Sequence, residues 1–344
     1  MAGEYRFSFG PWNIHEGADP FGPPVRDSVA FGKKLKMYKR LGFDGVQFHD
    51  DDAVPDMDKL GAKEVVEKAK EVHKMLQNEG LAAEFVAPRL WEDPRTIDGA
   101  YTSNDPADRE YAKERSRRTI DIADALGTKL IVLWLAREGT YIREAKDSKV
   151  AVDRIAEAIN DMLAYHPDIK IAIEPKPNEP MDQAYIPTTG HAIAIGYLTD
   201  DPARVGVNIE TAHAILAGLD PSDEMGFALA YEKLFTVHLN DQNGLKFDED
   251  KTFGSVDLRR AFNQVRILDQ YNYGKKGEFV GLDVKAMRTQ KQEVATKHLA
   301  NSRGVFLRLV ELVRSLDRAK VEKLIKERDY EELDMLIINH LIGA

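Results

Sequence analysis

Short apolar runs alternate along the chain with longer stretches in which apolar positions recur every three to four residues. The first pattern is that of strands and the second that of amphipathic helices. Strands are expected at residues 7–14, 45–49, 82–86, 129–134, 170–174, 205–208, 235–239 and 279–282. Between and after them the pattern predicts helices over 29–41, 63–79, 107–126, 148–165, 189–197, 225–231, 258–268 and 294–318. Asp27 and Ser28 are candidate caps for the first helix, and Gly80 and Gly127 fall where the second and third should stop. The run that ends at Trp134 is almost wholly apolar, as a parallel strand covered on both faces should be.

Eight strand-then-helix units, each a right-handed crossover, close naturally into an α/β fold, the (β/α)8 TIM barrel. The competing arrangement is an open doubly wound sheet, but no Gly-rich dinucleotide fingerprint follows the first strand. Neither a linker nor a low-complexity segment divides the chain. Residues 1–318 are therefore expected to form one barrel domain, and residues 319–344 a short helical C-terminal tail. The tail's apolar residues, Val321, Leu324, Ile325, Leu333, Leu336, Ile337 and Leu341, need a surface to cover. That surface is either the barrel's own helices or a second subunit.

Composition narrows the chemistry. The 344 residues are 43% hydrophobic and 31% charged, a mix that buries a large core and excludes a disordered chain. A net charge of −10 argues against a generic nucleic-acid binder, which needs a cationic face. No run reaches the ~20 apolar residues of a membrane helix, and the first residues lack a signal peptide's apolar core, so a cytoplasmic location is expected. Cysteine is absent, so any metal site must be built from histidine and carboxylates.

In such a barrel the C-terminal ends of the strands carry the active site. His49 ends the second run, Trp134 the fourth, Glu174 the fifth and Asp283 the eighth. Glu210 and His213 follow the sixth, His238 lies inside the seventh, and Asp248 and Asp250 come after it. One such residue is usually a solvated loop group or a satisfied core histidine. Many in register on consecutive strands are different, because several carboxylates in one cleft repel unless cations neutralise them. Oxygen and imidazole donors without sulfur suit Mg, Mn or Co, and the number of ligands favours two divalent cations. Glu210 and His213 share one side of a helical turn, while Asp248 and Asp250 alternate along an extended segment. Lys176 lies two beyond Glu174 between stiffening prolines, which reads as a positioned group rather than a surface lysine. Trp12 and Trp134 are core packing or a flat wall for a sugar. His15, His73, His166, His191, His298 and His340 are assigned no role, His73 and His166 being expected at the surface.

At these residues the chain resembles the xylose isomerases, over about residues 7–290. The pieces that carry the resemblance are Asp19-Pro-Phe-Gly22, Gly45-Val-Gln-Phe-His-Asp-Asp-Asp52, Tyr101-Thr-Ser-Asn-Asp105, Arg137-Glu-Gly139 and Ile173-Glu-Pro-Lys-Pro-Asn-Glu-Pro180. They continue with Gly206-Val-Asn-Ile-Glu210, His213, Leu239-Asn-Asp-Gln-Asn-Gly244, and Phe247-Asp-Glu-Asp250 before Phe253-Gly254. The resemblance implies a metal-dependent aldose–ketose isomerase, converting D-xylose to D-xylulose or acting on a related aldose. It implies one cation on Glu174, Glu210, His238 and Asp283, and another on Glu210, His213, Asp248 and Asp250. His49, oriented by Asp52, is implied to open the sugar ring, and Lys176 to stabilise the C1 oxygen. Trp12, Trp91 and Trp134 are implied to border the substrate. Phe21 matches a residue inserted into a neighbouring subunit's site, which implies a homodimer or homotetramer.

Departures from the family pattern are equally legible. His238 replaces an aspartate, as in rhamnose isomerases and keto-sugar epimerases, which the chain also resembles there. Leu135 and Ala136 replace paired glycines and should crowd the loop after Trp134; Ala87 replaces a polar residue; and Arg89 is an unexpected charge. A keto-sugar 3-epimerase, a rhamnose-type isomerase and an inactive metal- or sugar-binding relative are the competing readings. His49, Asp52 and Lys176 favour an enzyme, since a binder needs no proton-transfer pair.

Overall fold

The computed structural model describes residues 5–14 and 21–343. Eight parallel strands close into a barrel: β1 (Arg6–Phe9), β2 (Gly45–His49), β3 (Ala82–Ala87), β4 (Leu130–Trp134), β5 (Lys170–Glu174), β6 (Val205–Glu210), β7 (Leu234–Leu239) and β8 (Phe279–Leu282). Strands neighbouring in sequence are neighbours in space, and β1 closes the ring by pairing Arg6 with Phe279 and Ser8 with Gly45. Helices flank the ring: α1 (Phe31–Leu41), α2 (Ala62–Asn78), α3 (Pro106–Leu126), α4 (Ser148–Tyr165), α5 (Thr189–Tyr197), α6 (Pro221–Ala230), α7 (Leu258–Gln270) and α8 (Lys297–Ser315). The barrel is therefore the expected one, and the open sheet is excluded.

Each helix lays an apolar stripe on the strands. In α7 the buried residues are Ala261, Phe262, Gln264, Val265 and Leu268, one face of a 3.6-residue period. Local chemistry fixes the ends. Asp105 accepts from Ala107 N to start α3, with Pro106 at the first position, and Gly127 ends that helix in the left-handed region at φ 83°. Asp27 and Ser28 do not cap α1, whose N-cap is Ala30 with no side-chain bond. The sixth helix begins at Pro221, four residues before the expected start, because Asp220 caps it through Ser222 N at 2.8 Å.

The first strand is also shorter than expected. After Phe9 the chain turns at Gly10 into a 3₁₀ turn over Pro11–Ile14. A Cβ at Gly10 would lie 2.1 Å from the Trp12 ring, so the turn needs glycine there. Inside the barrel, Glu84 of β3 is buried and accepts from Ser8 Oγ of β1, from Gln47 Nε2 of β2 at 3.2 Å and from Thr236 Oγ1 of β7 at 2.7 Å.

The tail forms α9 (Arg318–Glu327) and α10 (Tyr330–Ile342). Leu324 is buried, and Ile337 and Leu341 pack against the core. His340 Nε2 lies 2.7 Å from Leu312 O of α8, so the tail covers the barrel's own helices at least in part. His73 and His166 are half-buried rather than at the surface: His73 Nδ1 sits 2.6 Å from Leu126 O, and Asp168 N donates to His166 Nδ1 at 3.2 Å. His15 and the first two residues of the Asp19–Gly22 motif lie outside the described residues. No helix among the described residues is long and apolar enough to cross a membrane.

Candidate active site

The C-terminal rim of the barrel encloses a cavity of about 690 Å³. It brings together Trp12, His49, Trp91, Trp134, Glu174, Lys176, Glu210, His213, His238, Asp248, Asp250 and Asp283. Asp52 stands behind His49. Phe21 is 74% exposed and sits edge-on to Phe247 at 5.3 Å, outside the cavity lining.

The acidic centre follows from strand ends. β6 runs to Glu210, and a single helical turn (Thr211–Leu216) starts at once. His213 therefore returns to its neighbour, with Nε2 3.2 Å from Glu210 Oε1 and 3.1 Å from Asp248 Oδ2. Asn240, just past β7, ties the segments by donating Nδ2 to Glu210 Oε1 at 3.0 Å and to Asp250 Oδ1 at 2.9 Å. Asn208 donates to Glu174 Oε2 at 2.6 Å, and Trp12 Nε1 to Asp283 Oδ1 at 2.9 Å. Trp12 thus has a polar duty as well as a flat face. His238 fits because β8 presents Gly281 opposite it, where a Cβ would press on the imidazole at 3.2 Å. Lys176 Nζ binds Asp248 Oδ2 at 2.9 Å and Glu179 Oε2 at 3.1 Å, and Lys285 Nζ binds Asp250 Oδ2 at 2.6 Å.

These buried groups do not all ionise alike. Burial disfavours the Glu174 anion, but His238 and His213 outweigh it and hold the carboxyl at about 2. Burial opposes ionisation of Asp248 as well, yet Lys176 and His213 bring it well below the ordinary value. Burial and the Asp248 charge push Asp250 up to about 8 and carry Glu210 well above its usual range. Burial works against a charged His238, but Glu174 raises it well above an ordinary histidine. The cluster therefore retains protons at neutral pH that cations can replace.

The donors fit such cations. Among the described residues, His213 Nδ1, both ring nitrogens of His238 and Asp248 Oδ1 are buried with no hydrogen-bond partner, and His238 Nδ1 has the Glu174 carboxylate at 3.3 Å as an ion-pair neighbour. Three sets place ligand atoms within 4.8 Å of one another: Glu174, Glu210 and His213; Glu210, His238 and Asp283; Glu210, Asp248 and Asp250. Glu210 belongs to all three. The latter two are each three members of a ligand set implied by the resemblance, and the first joins those sets.

Across the cavity the surface is aromatic. Trp12 stacks on His49 with ring centroids 4.2 Å apart, Trp91 meets His49 edge-on at 5.1 Å, and Trp91 meets Trp134 at 4.6 Å. His49 caps the single-turn helix Asp50–Ala53, and Asp52 Oδ2 lies 2.9 Å from its Nδ1. Asp50 is fully buried, with both oxygens 2.7 Å from Arg115 nitrogens, and this bidentate pair fixes the turn beneath His49. Ala87 and Arg89 line the cavity, whereas Leu135 and Ala136 are buried outside its lining.

Sequence reasoning gave no role to Lys285, Asn208, Asn240 or Glu179. Lys285 had a signal: it follows Asp283 by two residues, the spacing that singled out Lys176 after Glu174. Asn240 and Glu179 lie inside motifs named above, but Asn240 acts on Glu210 and Asp250, and Glu179 joins Lys176 to the Asp248 backbone of another segment.

Comparison with known proteins agrees with this geometry. A xylose isomerase of Thermus thermophilus is 36% identical over 295 residues, which cover 84% of this chain and 75% of that protein. Among solved structures, a D-psicose 3-epimerase determined with D-fructose superposes with a TM-score of 0.63 at 16% identity, covering 88% of this chain and 99% of that one. A 3-keto-D-glucoside 4-epimerase of E. coli superposes at 0.60 and 16% identity, covering 87% and 100%. At such identities the two structures speak for the fold alone. The family model described as xylose isomerase-like TIM barrel matches residues 35–288, the span that holds every group of the acidic centre. The closed barrel, this match and the Thermus relative together establish that the chain belongs to the xylose isomerase-like TIM barrel family.

Proposed function

We propose that the protein is a divalent-cation-dependent aldose–ketose isomerase, with D-xylose or a related aldose as substrate. The observation that carries this reading is the set of overlapping donor groups sharing Glu210, with the Lys176 ammonium beside them. Glu174, Glu210, His238 and Asp283 would hold one cation, and Glu210, His213, Asp248 and Asp250 the other. Bound there, Mg, Mn or Co supplies Lewis-acid polarisation of the sugar oxygens.

The remaining chemistry belongs to side chains. His49, braced by Asp52, exchanges a proton with the ring oxygen as the sugar opens. Lys176 donates to the C1 oxygen and stabilises its negative charge. Trp12, Trp91 and Trp134 keep water from the hydrogen moving from C2 to C1. The proposed assembly is a cytoplasmic homodimer or homotetramer, with Phe21 reaching towards a neighbouring subunit's cavity.

Purified protein supplied with Mn, Mg or Co and a panel of free aldoses should form ketoses, and EDTA should abolish the reaction. His238 gives a keto-sugar 3-epimerase a specific claim, because it sits where that class carries histidine. C3 epimers from ketoses without aldose–ketose exchange would establish that second reading and overturn the first.

Cation binding should be linked to protons. Asp250 is held at about 8, and Glu210 and His238 are raised well above their ordinary values, so protons must leave these groups as a cation enters. Affinity is then lost as pH falls below about 8 and regained as it rises. Titration calorimetry near pH 7 in two buffers of different ionisation enthalpy should report proton release. Equal apparent enthalpies in the two buffers would contradict the linkage.

A further inference from the structure

His49 Nδ1 meets two neighbours with opposite requirements. Asp52 Oδ2 lies 2.9 Å from it and Arg89 Nη2 lies 2.8 Å from it. A carboxylate accepts hydrogen bonds and a guanidinium only donates them. The nitrogen either carries a proton or presents a lone pair, so it satisfies one neighbour at a time.

Both neighbours are anchored. Asp52 Oδ2 also accepts from the His49 backbone N–H at 3.0 Å. Arg89 Nε donates to Asp51 Oδ1 at 2.8 Å, its Nη1 to Glu92 Oε1 at 3.2 Å, and its backbone N–H to Asp50 Oδ1 at 3.3 Å. Asp50 is in turn clamped by Arg115. Arg89 is thus built into the wall beside His49, with its side chain 19% exposed.

We propose that Arg89 is a positioning residue that selects the tautomer of His49: it donates to Nδ1, and the neutral imidazole carries its proton on Nε2. In this arrangement no proton lies between Nδ1 and Asp52 Oδ2, and the Arg89 guanidinium beside both offsets the repulsion of their lone pairs. Asp52 Oδ2 keeps the backbone N–H, and Asp52 Oδ1 lies 3.7 Å from Arg89 Nη2. With Nδ1 occupied, Nε2 is the nitrogen left for a ligand, and it presents a donor to the cavity. The tautomer held by Asp52 would present an acceptor instead. On the isomerase reading the partner of Nε2–H is a sugar oxygen. That consequence rests on the proposed function, but the tautomer does not.

The test is a long-range proton–nitrogen correlation spectrum of the full chain labelled with ¹⁵N-histidine. It uses protein loaded with Mg, which is diamagnetic, at a pH where the ring is neutral. His49→Gln identifies the signals. The wild type should show Nε2 protonated and Nδ1 bare. Arg89→Met should switch the pattern to a protonated Nδ1, whereas Arg89→Lys, which keeps a donor, should retain part of the wild-type signal. Asp52→Asn should leave the wild-type pattern in place. A wild-type ring protonated on Nδ1 overturns the proposal, as does an Arg89→Met ring unchanged from wild type. If Arg89→Met does not fold, the wild-type and Asp52→Asn spectra decide: Nε2–H in both supports the assignment, and Nδ1–H in either removes it. The spectra need no turnover, so a failed sugar panel leaves this result standing.

Discussion

Glu210→Gln should abolish both cation-binding events while leaving the cation-free protein folded. Glu210 is the member common to every ligand group in the site. Burial and the Asp248 charge raise its carboxyl well above the ordinary range, which favours its neutral form in the cation-free site. Glutamine copies that neutral state in shape and charge, and its amide oxygen can still accept from Asn240. The melting temperature of the cation-free variant should therefore move by no more than about 3 °C, equivalent to about 1 kcal/mol. The cation response should vanish. A ligand present at 100 times its dissociation constant stabilises a protein by about 2.7 kcal/mol per site, and the variant should lose that increment at both sites. Thermal melts with and without Mn, together with calorimetric titration, provide the check. One surviving event of unchanged affinity would show that Glu210 is not shared.

The second large effect is expected in turnover. Lys176→Ala removes the ammonium assigned to the C1 oxygen, and kcat should fall by about 100- to 1,000-fold, as when a donor to a developing oxyanion is deleted. Two ion pairs complicate the substitution, because Lys176 is also bound to Asp248 and Glu179. Loss of the ammonium lets the Asp248 carboxyl rise, so binding at the cation it shares should weaken without disappearing. The signature is a collapse of kcat with both calorimetric events still visible. Unchanged turnover would remove the role given to Lys176. Loss of both events together with turnover would make it a structural residue of the cation site.

The eight strands were legible because each is a short apolar run between helical periods, and buried parallel strands leave little else possible. The last two residues of β6 were not. Glu210 is polar and so reads as loop, but it continues the strand because its backbone pairs with His238. The acidic centre was legible because the barrel gathers strand ends on one rim, so position along each strand identified Glu174, Glu210 and Asp283. The contacts of Arg89 were not. It is one exposed-looking charge in sequence, and its meaning depends on His49 and the carboxylates of Asp50, Asp51 and Asp52, which one other segment brings to it. Lys285 and Asn240 were missed for the same reason: each acts on Asp250, which reaches them only through the returning loop marked by the Asp241–Lys251 bridge.

Glu84 has no cationic partner in its hydrogen-bond network, and its three donors come from three other strands. Apolar side chains inside a barrel tolerate many neighbours, so packing alone distinguishes weakly between one closure and the next. A carboxyl group inside that packing does not, because a buried polar group stripped of its hydrogen-bond partners is costly. Sliding β1, β2 or β7 by two residues keeps the inward-facing parity of each side chain but carries Ser8, Gln47 or Thr236 away from Glu84. The network therefore acts as a combination lock on the shear of the barrel. It holds β1, β2 and β7 in one alignment against β3, and these are the strands that lead into Trp12, end at His49 and carry His238.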